Sequence, residues 1–245
     1  MTLEARNLLK NYGGRNVVDD VSFGVGSGEI VAILGPNGAG KTTSFDMCVG
    51  LVKADAGQIL FFGKDITKLK IHERARLGIG YLTQEPSAFR AMTVRDNIAL
   101  VFEESGYPAE LRKQKSKELL EEFGIFRLKD EVAASLSGGE RRRLEIARVL
   151  ATDPKFILLD EPFTGIDPIA IGEIQQIIAH LCKKRNIGLL ITDHNPQATL
   201  DITDRAYIMQ DGKIIISGDA QTIASDPMAQ KFYLGKDFAL SNKSI

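Results

Sequence analysis

The 245-residue sequence contains no tryptophan, three histidines and only two cysteines, Cys48 and Cys182. Neither cysteine lies in a CxxC or Cys/His cluster, so the spacing offers no zinc site and favours free thiols in a reducing compartment. The chain also lacks any run close to the roughly 18 uninterrupted apolar residues of a membrane-spanning helix. We therefore expect another chain to supply any membrane span.

The chain has almost no net charge, because 31 basic residues offset 32 acidic ones. This balance argues against a global electrostatic attraction to nucleic acid. Hydrophobic residues make up 44% of the sequence, as in an ordinary globular protein that can bury a sizeable core. The length favours one domain with two lobes, spanning residues 1–245.

Short apolar runs bounded by turn residues alternate with helical patterns. Four runs are predicted to be buried strands, namely residues 29–34, 156–160, 188–192 and 205–209. Residues 169–185 are predicted to form a crossover helix, and such near-continuous apolar strands are typical of a parallel sheet covered on both faces. Residues 2–9 and 17–25 predict an antiparallel pair. We therefore expect an α/β fold with a mostly parallel sheet and an antiparallel N-terminal β subdomain.

The middle of the chain has a different composition, because residues 93–129 are rich in Glu, Lys, Arg and Leu. Residues 113–125 follow an amphipathic helical pattern, and Gly124 is expected to stop that helix. These features predict a helical subdomain at about residues 86–153, inserted into the α/β core. A C-terminal extension at about residues 219–245 follows the last predicted strand.

Residues 35–42, GPNGAGKT, match the phosphate-loop pattern G-x4-G-K-[ST] between a predicted strand and a helix that should begin at Lys41. Glycines let backbone N–H groups form a nest for phosphate oxygens, and the helix adds its positive N-terminal end. Lys41 is expected to bridge the β- and γ-phosphates, and the Thr42 hydroxyl to bind Mg²⁺. Alone, this motif indicates a P-loop NTPase, and its predicted nucleotide-binding residues are Gly35, Pro36, Asn37, Gly38, Ala39, Gly40, Lys41, Thr42 and Thr43.

Two acids follow the predicted strand in FILLDEP, where the end of a buried strand would present them to a ligand. Asp160 is suited to hold Mg²⁺, and Glu161 is suited to orient and deprotonate an attacking water. His194 follows another predicted strand, so we expect it to face the same crevice and contact the γ-phosphate. The remaining histidines, His72 and His180, are predicted to be structural or exposed.

Residues 136–140, LSGGE, precede the helical pattern RRRLEIARVL. Ser137 and Glu140 have the spacing of a capping box, which predicts a helix start at Ser137. The two adjacent glycines leave backbone N–H groups bare, so this segment predicts a second anion site. Ser137 lies 95 residues after Thr42, too far for the two segments to form one continuous loop around a phosphate.

These motifs together resemble the ABC ATPase family over essentially the whole chain. In that family two subunits dimerise head to tail. The signature motif of one subunit, here LSGGE at residues 136–140, closes on ATP held by the other. The resemblance implies ATP hydrolysis with ATP and Mg²⁺, a homodimer, and two separate transmembrane permease subunits. It also implies that the signature contacts the ATP of the partner subunit through Ser137, Gly138 and Gly139.

The same resemblance assigns roles to three further residues. Tyr12 is similar to the aromatic residue that stacks on adenine, and Asp167 to the aspartate that crosses the dimer interface. Gln84 is similar to the glutamine that reaches Mg²⁺, contributes to catalysis and senses the transport subunit. Glu140 stands where glutamine is usual, and TGID replaces the commoner SALD, but neither change removes a required functional group.

Within the family, the chain most resembles ATPases that power lipopolysaccharide export in Gram-negative envelopes. The SF after GKTT and the YLG-x-DF tail are the more discriminating stretches. This resemblance implies that Phe89 and Arg90 lie at the groove that receives the coupling helices of the permeases. It also implies that the subunit is cytoplasmic and peripheral, on the cytoplasmic face of the inner membrane.

Alternative functions can be compared by the sequence features that each one requires. The ATPases of branched-chain amino-acid importers share the RRLEIAR helix and the terminal YLG, and they remain the alternative. Soluble ABC ATPases that act on nucleic acid or ribosomes typically carry a coiled coil, zinc modules or tandem cores, none of which this sequence contains. A small-molecule P-loop kinase would lack LSGGE.

Overall fold

The computed structural model describes residues 2–235 and 238–240. Its strands form two sheets. In chain order they are β1 (Thr2–Tyr12), β2 (Arg15–Gly26), β3 (Ile30–Leu34), β4 (Ala56–Phe61), β5 (Lys64–Asp65), β6 (Ile79–Leu82), β7 (Phe156–Asp160), β8 (Gly188–Thr192), β9 (Arg205–Gln210) and β10 (Lys213–Asp219).

The α-helices are α1 (Lys41–Val49), α2 (Ile71–Leu77), α3 (Val94–Glu104), α4 (Ala109–Glu122), α5 (Gly138–Leu150), α6 (Pro168–Arg185), α7 (Pro196–Leu200), α8 (Ala220–Ser225) and α9 (Pro227–Ala229). Short 3₁₀ segments occur at Phe126–Leu128 and Ala133–Ser135, and a π-helical turn at Gln230–Leu234. None of the helices in the described residues is long and apolar enough to cross a bilayer.

The larger sheet has the order β10-β9-β3-β8-β7-β6. All neighbouring strands from β9 to β6 are parallel, and only β10 pairs antiparallel. Every residue of β3, β7 and β8 is buried, because helices or the second sheet cover both faces. The expected mostly parallel sheet is confirmed, whereas the sequence reading missed β6, which is only four residues long, and β10.

The smaller sheet has the order β2-β1-β4-β5 and is antiparallel throughout. Strands β1 and β2 contain the two segments predicted to pair, and both extend to the turn between them. Gly13 and Gly14 form that turn with φ values of 57° and 85°, as a two-residue hairpin of the primed type requires. The expected N-terminal β subdomain is confirmed and also includes β4 and β5.

Two hydrophobic clusters cover the opposite faces of the parallel sheet. One lies between this sheet, α1 and the antiparallel sheet, and includes Phe45 and Phe156. The other continues from the sheet through α6 and α5 into α3 and α4, and includes Leu144 and Ile98. The helices of the expected subdomain therefore share a core with the α/β part, and its boundaries at about 86–153 stay a prediction.

Helix boundaries follow local chemistry. Helix α5 begins after Ser137, whose hydroxyl accepts a hydrogen bond from the Glu140 N–H group while the Glu140 carboxylate accepts one from the Ser137 N–H group. The predicted capping box is thus confirmed. Helix α4 ends just before Gly124, which adopts a positive φ of 65°, but it starts at Ala109, four residues before the predicted pattern.

The C-terminal extension begins with α8 and α9 and packs on β3 and β9. Tyr233 and Phe238 lie against the cluster that these strands form with Ile223. The boundary at about residue 219 stays a prediction. Residues 236–237 and 241–245 of the expected extension, including part of the YLG-x-DF stretch, lie outside the described residues.

A buried ion pair on α5 joins the helical part of the chain to the sheet. The Arg142 guanidinium lies 3.2 Å from the Glu145 carboxylate and donates to the carbonyl oxygens of Asp160 and Glu161 at 3.1 and 3.2 Å. It also donates to the carbonyl oxygens of Thr83 and Pro162, which follow β6 and β7. One side chain therefore fixes the ends of two neighbouring strands.

Because Arg142 is buried, we predict that Arg142→Met lowers the free energy of unfolding by about 3–5 kcal/mol, leaving the Glu145 carboxylate buried without its cation. Urea unfolding followed by far-UV circular dichroism measures the change. The control is Arg127→Met, which removes an exposed ion pair with Glu140 and should cost less than about 1 kcal/mol. Equal stability of the two variants would contradict the role of Arg142.

Candidate functional site

The site lies where four neighbouring parallel strands end. The order β3-β8-β7-β6 brings the segments after these strands to one edge of the sheet. Lys41 comes from the loop and helix after β3, His194 from the segment after β8, Glu161 from the residue after β7, and Gln84 from the segment after β6. Ligands in open α/β sheets bind at this carboxyl edge.

A cavity of about 360 Å³ opens at this edge. Its walls contain most of the residues that the sequence proposed for ATP, magnesium and catalysis. The lining residues are Val17, Asn37, Gly38, Ala39, Gly40, Lys41, Thr42, Thr43, Gln84, Glu161 and His194. Val17, at the start of β2, is an addition that no motif had indicated.

The phosphate loop depends on glycine at two places where it touches other strands. At Gly35, with φ of 146°, a Cβ atom would lie 2.1 Å from the Met209 carbonyl oxygen. At Gly40, with φ of 99°, it would lie 2.5 Å from the Val17 carbonyl oxygen. A side chain at either position would push the loop away from β9 or β2. The loop then leads into α1, whose N-terminus has no side-chain cap, and free N–H groups at a helix start attract anions.

Lys41 is buried and lies across this loop. Its Nζ atom donates to the carbonyl oxygens of Gly35 and Pro36 at 2.8 and 3.0 Å. Burial lowers the pKa of Lys41, and the negative charges of Glu161 and Asp160 oppose that shift. The ammonium group therefore lies across the loop that its motif assigns to phosphates, and its charge interacts favourably with both acids.

Asp160, the last residue of β7, is buried with an incomplete set of hydrogen bonds. Its Oδ2 atom accepts from the Tyr81 hydroxyl at 3.4 Å, whereas Oδ1 has no hydrogen-bond partner among the described residues. Burial, followed by the charges of Glu161 and Asp46, raises the pKa of Asp160 to about 6. A buried carboxylate oxygen without a partner, beside further acids, has the chemistry to accept a divalent cation.

Magnesium fits the oxygens present, although no group of three or more His, Cys, Asp or Glu side chains in the described residues forms a metal cage. Mg²⁺ commonly takes one or two carboxylates and completes its shell with waters and substrate phosphates. Asp160 offers a carboxylate oxygen. Thr42, which has a hydroxyl group, and Gln84, which has a side-chain amide, both line the cavity. This donor set suits a cation that arrives with a nucleotide.

Glu161 has a backbone conformation that is uncommon for a residue with a side chain. It has a left-handed backbone with φ of 49°, which costs roughly 1–3 kcal/mol for a residue other than glycine. Its N–H group donates to the Thr192 carbonyl oxygen at 2.7 Å. Non-glycine residues in this conformation cluster at functional sites, and here the turn aims the carboxylate into the cavity.

Both oxygens of the Glu161 carboxylate are engaged. Gln84 Nε2 donates to Oε2 at 2.8 Å, and the Thr164 hydroxyl donates to the same oxygen at 3.2 Å. His194 Nε2 lies 2.5 Å from Oε1, within hydrogen-bonding distance. The structure thus brings three of the proposed catalytic residues, Glu161, Gln84 and His194, into direct contact.

Asp193, which the sequence reading passed over, fixes the segment that carries His194. Its carboxylate accepts from the N–H groups of Phe163 and Asn195 at 2.9 and 2.8 Å. Burial raises the pKa of Asp193, against the effect of these two bonds. Tyr233 of the C-terminal extension donates its hydroxyl to the Asp193 carbonyl oxygen at 3.2 Å. The sequence TDHN contains no pattern from which these hydrogen bonds of Asp193 could be predicted.

A second group of proposed residues lies away from the cavity wall. Ser137, Gly138 and Gly139 occupy the N-terminus of α5, beside the start of α6. A Cβ atom on Gly138 would lie 3.4 Å from the Gly165 carbonyl oxygen. Asp167 caps α6 by accepting from two backbone N–H groups at 3.1 and 3.0 Å, so it has a structural role that the motif reading had not included.

Tyr12 also lies outside the cavity lining. Its side chain ends β1 with 50% of its surface exposed, and the Lys10 ammonium lies 5.2 Å from the centre of its ring. An exposed ring beside a cation offers a face for stacking, but Tyr12 is not among the residues that line the cavity. Its adenine-binding role therefore stays a prediction.

Phe89 and Arg90 form an exposed corner between β6 and α3. The Phe89 ring is 47% exposed, and the Arg148 guanidinium lies 4.6 Å from its centre. Glu145 accepts the N–H groups of Ser87 and Ala88 at 2.9 and 3.4 Å. The pair of Arg142 and Glu145 therefore connects this corner with the backbone of the catalytic strand end.

Comparison with known proteins agrees with this geometry. The ABC transporter family profile matches residues 18–164. The chain is 54% identical to the lipopolysaccharide export system ATP-binding protein LptB of Escherichia coli K12, over 98% of this chain and 99% of that protein. It is 52% identical to the protein of the same name from Haemophilus influenzae, over 97% and 99% of the two chains.

A solved structure shows the same fold. The ADP conformation of MJ1267, an ATP-binding cassette of an ABC transporter, superposes with a TM-score of 0.86 at 32% identity, covering 96% of this chain and all of that one. The family profile spans more than half of the chain, and the relatives match nearly all of it. The chain therefore belongs to the ABC transporter family, as an ATP-binding and ATP-hydrolysing subunit.

Proposed function

We propose that this subunit powers lipopolysaccharide export as a homodimer bound to two permease subunits on the cytoplasmic face of the inner membrane. The observation that carries the chemistry is the Glu161 carboxylate, held between Gln84 and His194 beside the phosphate loop. The cargo rests on the near full-length similarity to proteins named for lipopolysaccharide export. A branched-chain amino-acid importer is the competing cargo assignment.

The residues around the cavity divide the catalytic work. Lys41 can exchange its two carbonyl partners for phosphate oxygens, because its ammonium already lies across the loop. Glu161 is the base that takes the proton of the attacking water, and His194 and Gln84 orient its carboxylate. When Mg²⁺ is bound, held by Thr42, Asp160 and Gln84, it supplies positive charge that offsets the phosphates.

The signature supports a dimer with composite sites. Ser137 and its glycines present a helix N-terminus, but they are absent from the walls of the cavity that holds Lys41. A second copy in head-to-tail orientation would place this anion site against the nucleotide of the first. Asp167, at the start of α6 beside the signature, would lie in the same interface. This arrangement makes two subunits necessary for each complete site.

Glu161→Gln tests the base assignment. The amide keeps the shape of the side chain but cannot take a proton, so we predict a loss of about 10²–10⁴-fold in the ATPase rate and an ATP-bound dimer that persists. Phosphate release measures the rate, and size exclusion with ATP measures the dimer. Glu118→Gln, an exposed change on α4, is the control. Wild-type turnover by Glu161→Gln would rule out Glu161 as the base.

Mixed dimers test whether the signature acts across the interface. One subunit carries Ser137→Glu, which places a negative charge at the anion site, and the other carries Lys41→Ala. If the signature acts in trans, both lesions fall in one composite site, and we predict about one occluded ATP per dimer. Counting bound nucleotide on dimers purified with two tags gives the answer.

The matched control places both lesions on one chain, paired with a wild-type chain. In the trans arrangement both composite sites are then damaged, and no ATP should remain occluded. If that dimer retained its site while the first lost both, the signature would act within its own chain.

Phe89→Ala tests the permease-docking corner. Removing the exposed ring should weaken capture of the copurifying permeases by about tenfold or more, as for an aromatic anchor at an interface, while ATP binding by the isolated subunit remains. Titration of the subunit onto tagged permeases in detergent measures this. Phe62→Ala removes a ring of similar exposure, 42%, from the turn between β4 and β5 and should not change capture.

The permeases themselves distinguish the two cargoes. Mass spectrometry should identify partners that carry large periplasmic β-jellyroll domains. Copurification with amino-acid permeases and a periplasmic receptor would instead contradict lipopolysaccharide export.

In the Phe89→Ala experiment, capture at the wild-type level would remove Phe89 from the docking surface.

A further inference from the structure

Asn97 is a polar side chain in the first turn of α3 that is completely buried, with an exposed fraction of 0%. Its helix neighbours Val94 and Ile98 are equally buried and belong to the hydrophobic core. An amide in such surroundings costs free energy unless its oxygen and its N–H groups find hydrogen-bond partners. The partners of the Asn97 amide therefore indicate what this buried polar side chain contributes to the structure.

All the hydrogen bonds that the described residues make with the Asn97 side chain come from one loop, residues 89–93. Its Oδ1 atom accepts the Phe89 N–H group at 2.8 Å, and Nδ2 donates to the carbonyl oxygens of Phe89 and Thr93, both at 3.0 Å. A longer contact of 3.4 Å reaches the Met92 carbonyl oxygen. One side chain therefore binds both backbone polar groups of Phe89, a residue outside the helices and strands.

The rest of the loop is attached on the same inner side. The Ala134 N–H group donates to the Arg90 carbonyl oxygen at 3.0 Å, and the Ala133 N–H group donates to the Met92 carbonyl oxygen at 2.9 Å. The Phe89 side chain, in contrast, remains at the surface beside Arg148. The loop thus has a fixed backbone and an exposed aromatic ring.

We infer that Asn97 is a positioning residue for partner binding, which fixes the backbone of Phe89 so that its ring is presented in a preformed orientation. The inference rests on the proposed function, in which Phe89 contacts a permease. A loop that is already ordered loses less conformational entropy when its partner binds than a loop that must be ordered on contact. Asn97 would therefore raise permease affinity without touching the permease.

Asn97→Leu tests this inference because leucine has a similar shape but cannot bond to the loop. In the isolated subunit, hydrogen exchange of the peptide that contains residues 89–93 should become faster. Capture of the tagged permeases should weaken by about tenfold, measured well below the melting temperature of each variant. Asn97→Asp keeps the acceptor for the Phe89 N–H group and should lie between Asn97→Leu and the wild type.

The matched control is Ser116→Ala on α4, which removes another buried polar group of the same helical region. Within the part of the chain that the structure describes, the Ser116 hydroxyl has no hydrogen-bond partner, so its loss should change neither the exchange of residues 89–93 nor the capture of permeases. This control separates a general loss of packing in the helices from release of the loop.

A double-mutant cycle separates positioning from simple structural damage. If Asn97 acts through Phe89, Asn97→Leu should weaken capture much less in a Phe89→Ala background than in the wild type. Equal weakening in both backgrounds would overturn the inference. Wild-type capture by both Asn97 variants, together with weakened capture by Phe89→Ala, would overturn it while leaving the proposed docking corner intact. Wild-type capture by Phe89→Ala would instead refute the docking corner and this inference with it.

Discussion

The contact of Glu161 with Gln84 and His194 joins three different strand ends, and the rest of the site is arranged around it. A left-handed turn after β7 directs the carboxylate into the cavity, where His194 from the end of β8 and Gln84 from beyond β6 reach its two oxygens. The parallel order of the sheet makes this meeting possible, because the carboxyl ends of neighbouring strands lie at one edge. Lys41 approaches the same edge from the phosphate loop.

This arrangement carries electrostatic costs that a nucleotide and a cation would relieve. Asp160 and Glu161 are adjacent acids. Asp160 is buried, one of its oxygens has no partner in residues 2–235 and 238–240, and its pKa is raised to about 6. Lys41 is buried with carbonyl oxygens as its direct partners. Phosphates would satisfy the lysine, and Mg²⁺ would satisfy the carboxylate. The site is therefore built for a charged ligand, since an apolar one would leave these groups unsatisfied.

The same catalytic edge is linked mechanically to the exposed corner at Phe89. Arg142 holds the carbonyl oxygens at the ends of β6 and β7, and its partner Glu145 holds the backbone before Phe89. Asn97 then fixes Phe89 itself. These buried and partly buried hydrogen bonds form a continuous series of contacts from the corner to the strand ends.

Sequence patterns predicted the parts of this fold that depend on local chemistry. Glycine spacing identified the phosphate loop, the capping box located the start of α5, and apolar runs located the strands that carry Asp160 and precede His194. The sequence did not predict that Arg142 and Asn97 are buried, because an Arg in RRRLEIAR or an Asn in RDNI is typical of an exposed helix surface. Arg142 contacts the backbone of Thr83 and Glu161, which lie far from it in sequence. Asn97 contacts the nearby Phe89, but through an irregular loop whose path no sequence pattern predicted.

In the proposed dimer each complete site needs two subunits, because Ser137, Gly138 and Gly139 do not line the cavity that holds Lys41 in their own chain. The most direct measurement is the structure of the Glu161→Gln subunit with ATP and Mg²⁺ bound. We expect a head-to-tail dimer in which Ser137 Oγ and the Gly139 N–H group of one protomer lie within hydrogen-bonding distance of the γ-phosphate bound at Lys41 of its partner. A γ-phosphate enclosed by groups of a single chain would contradict it.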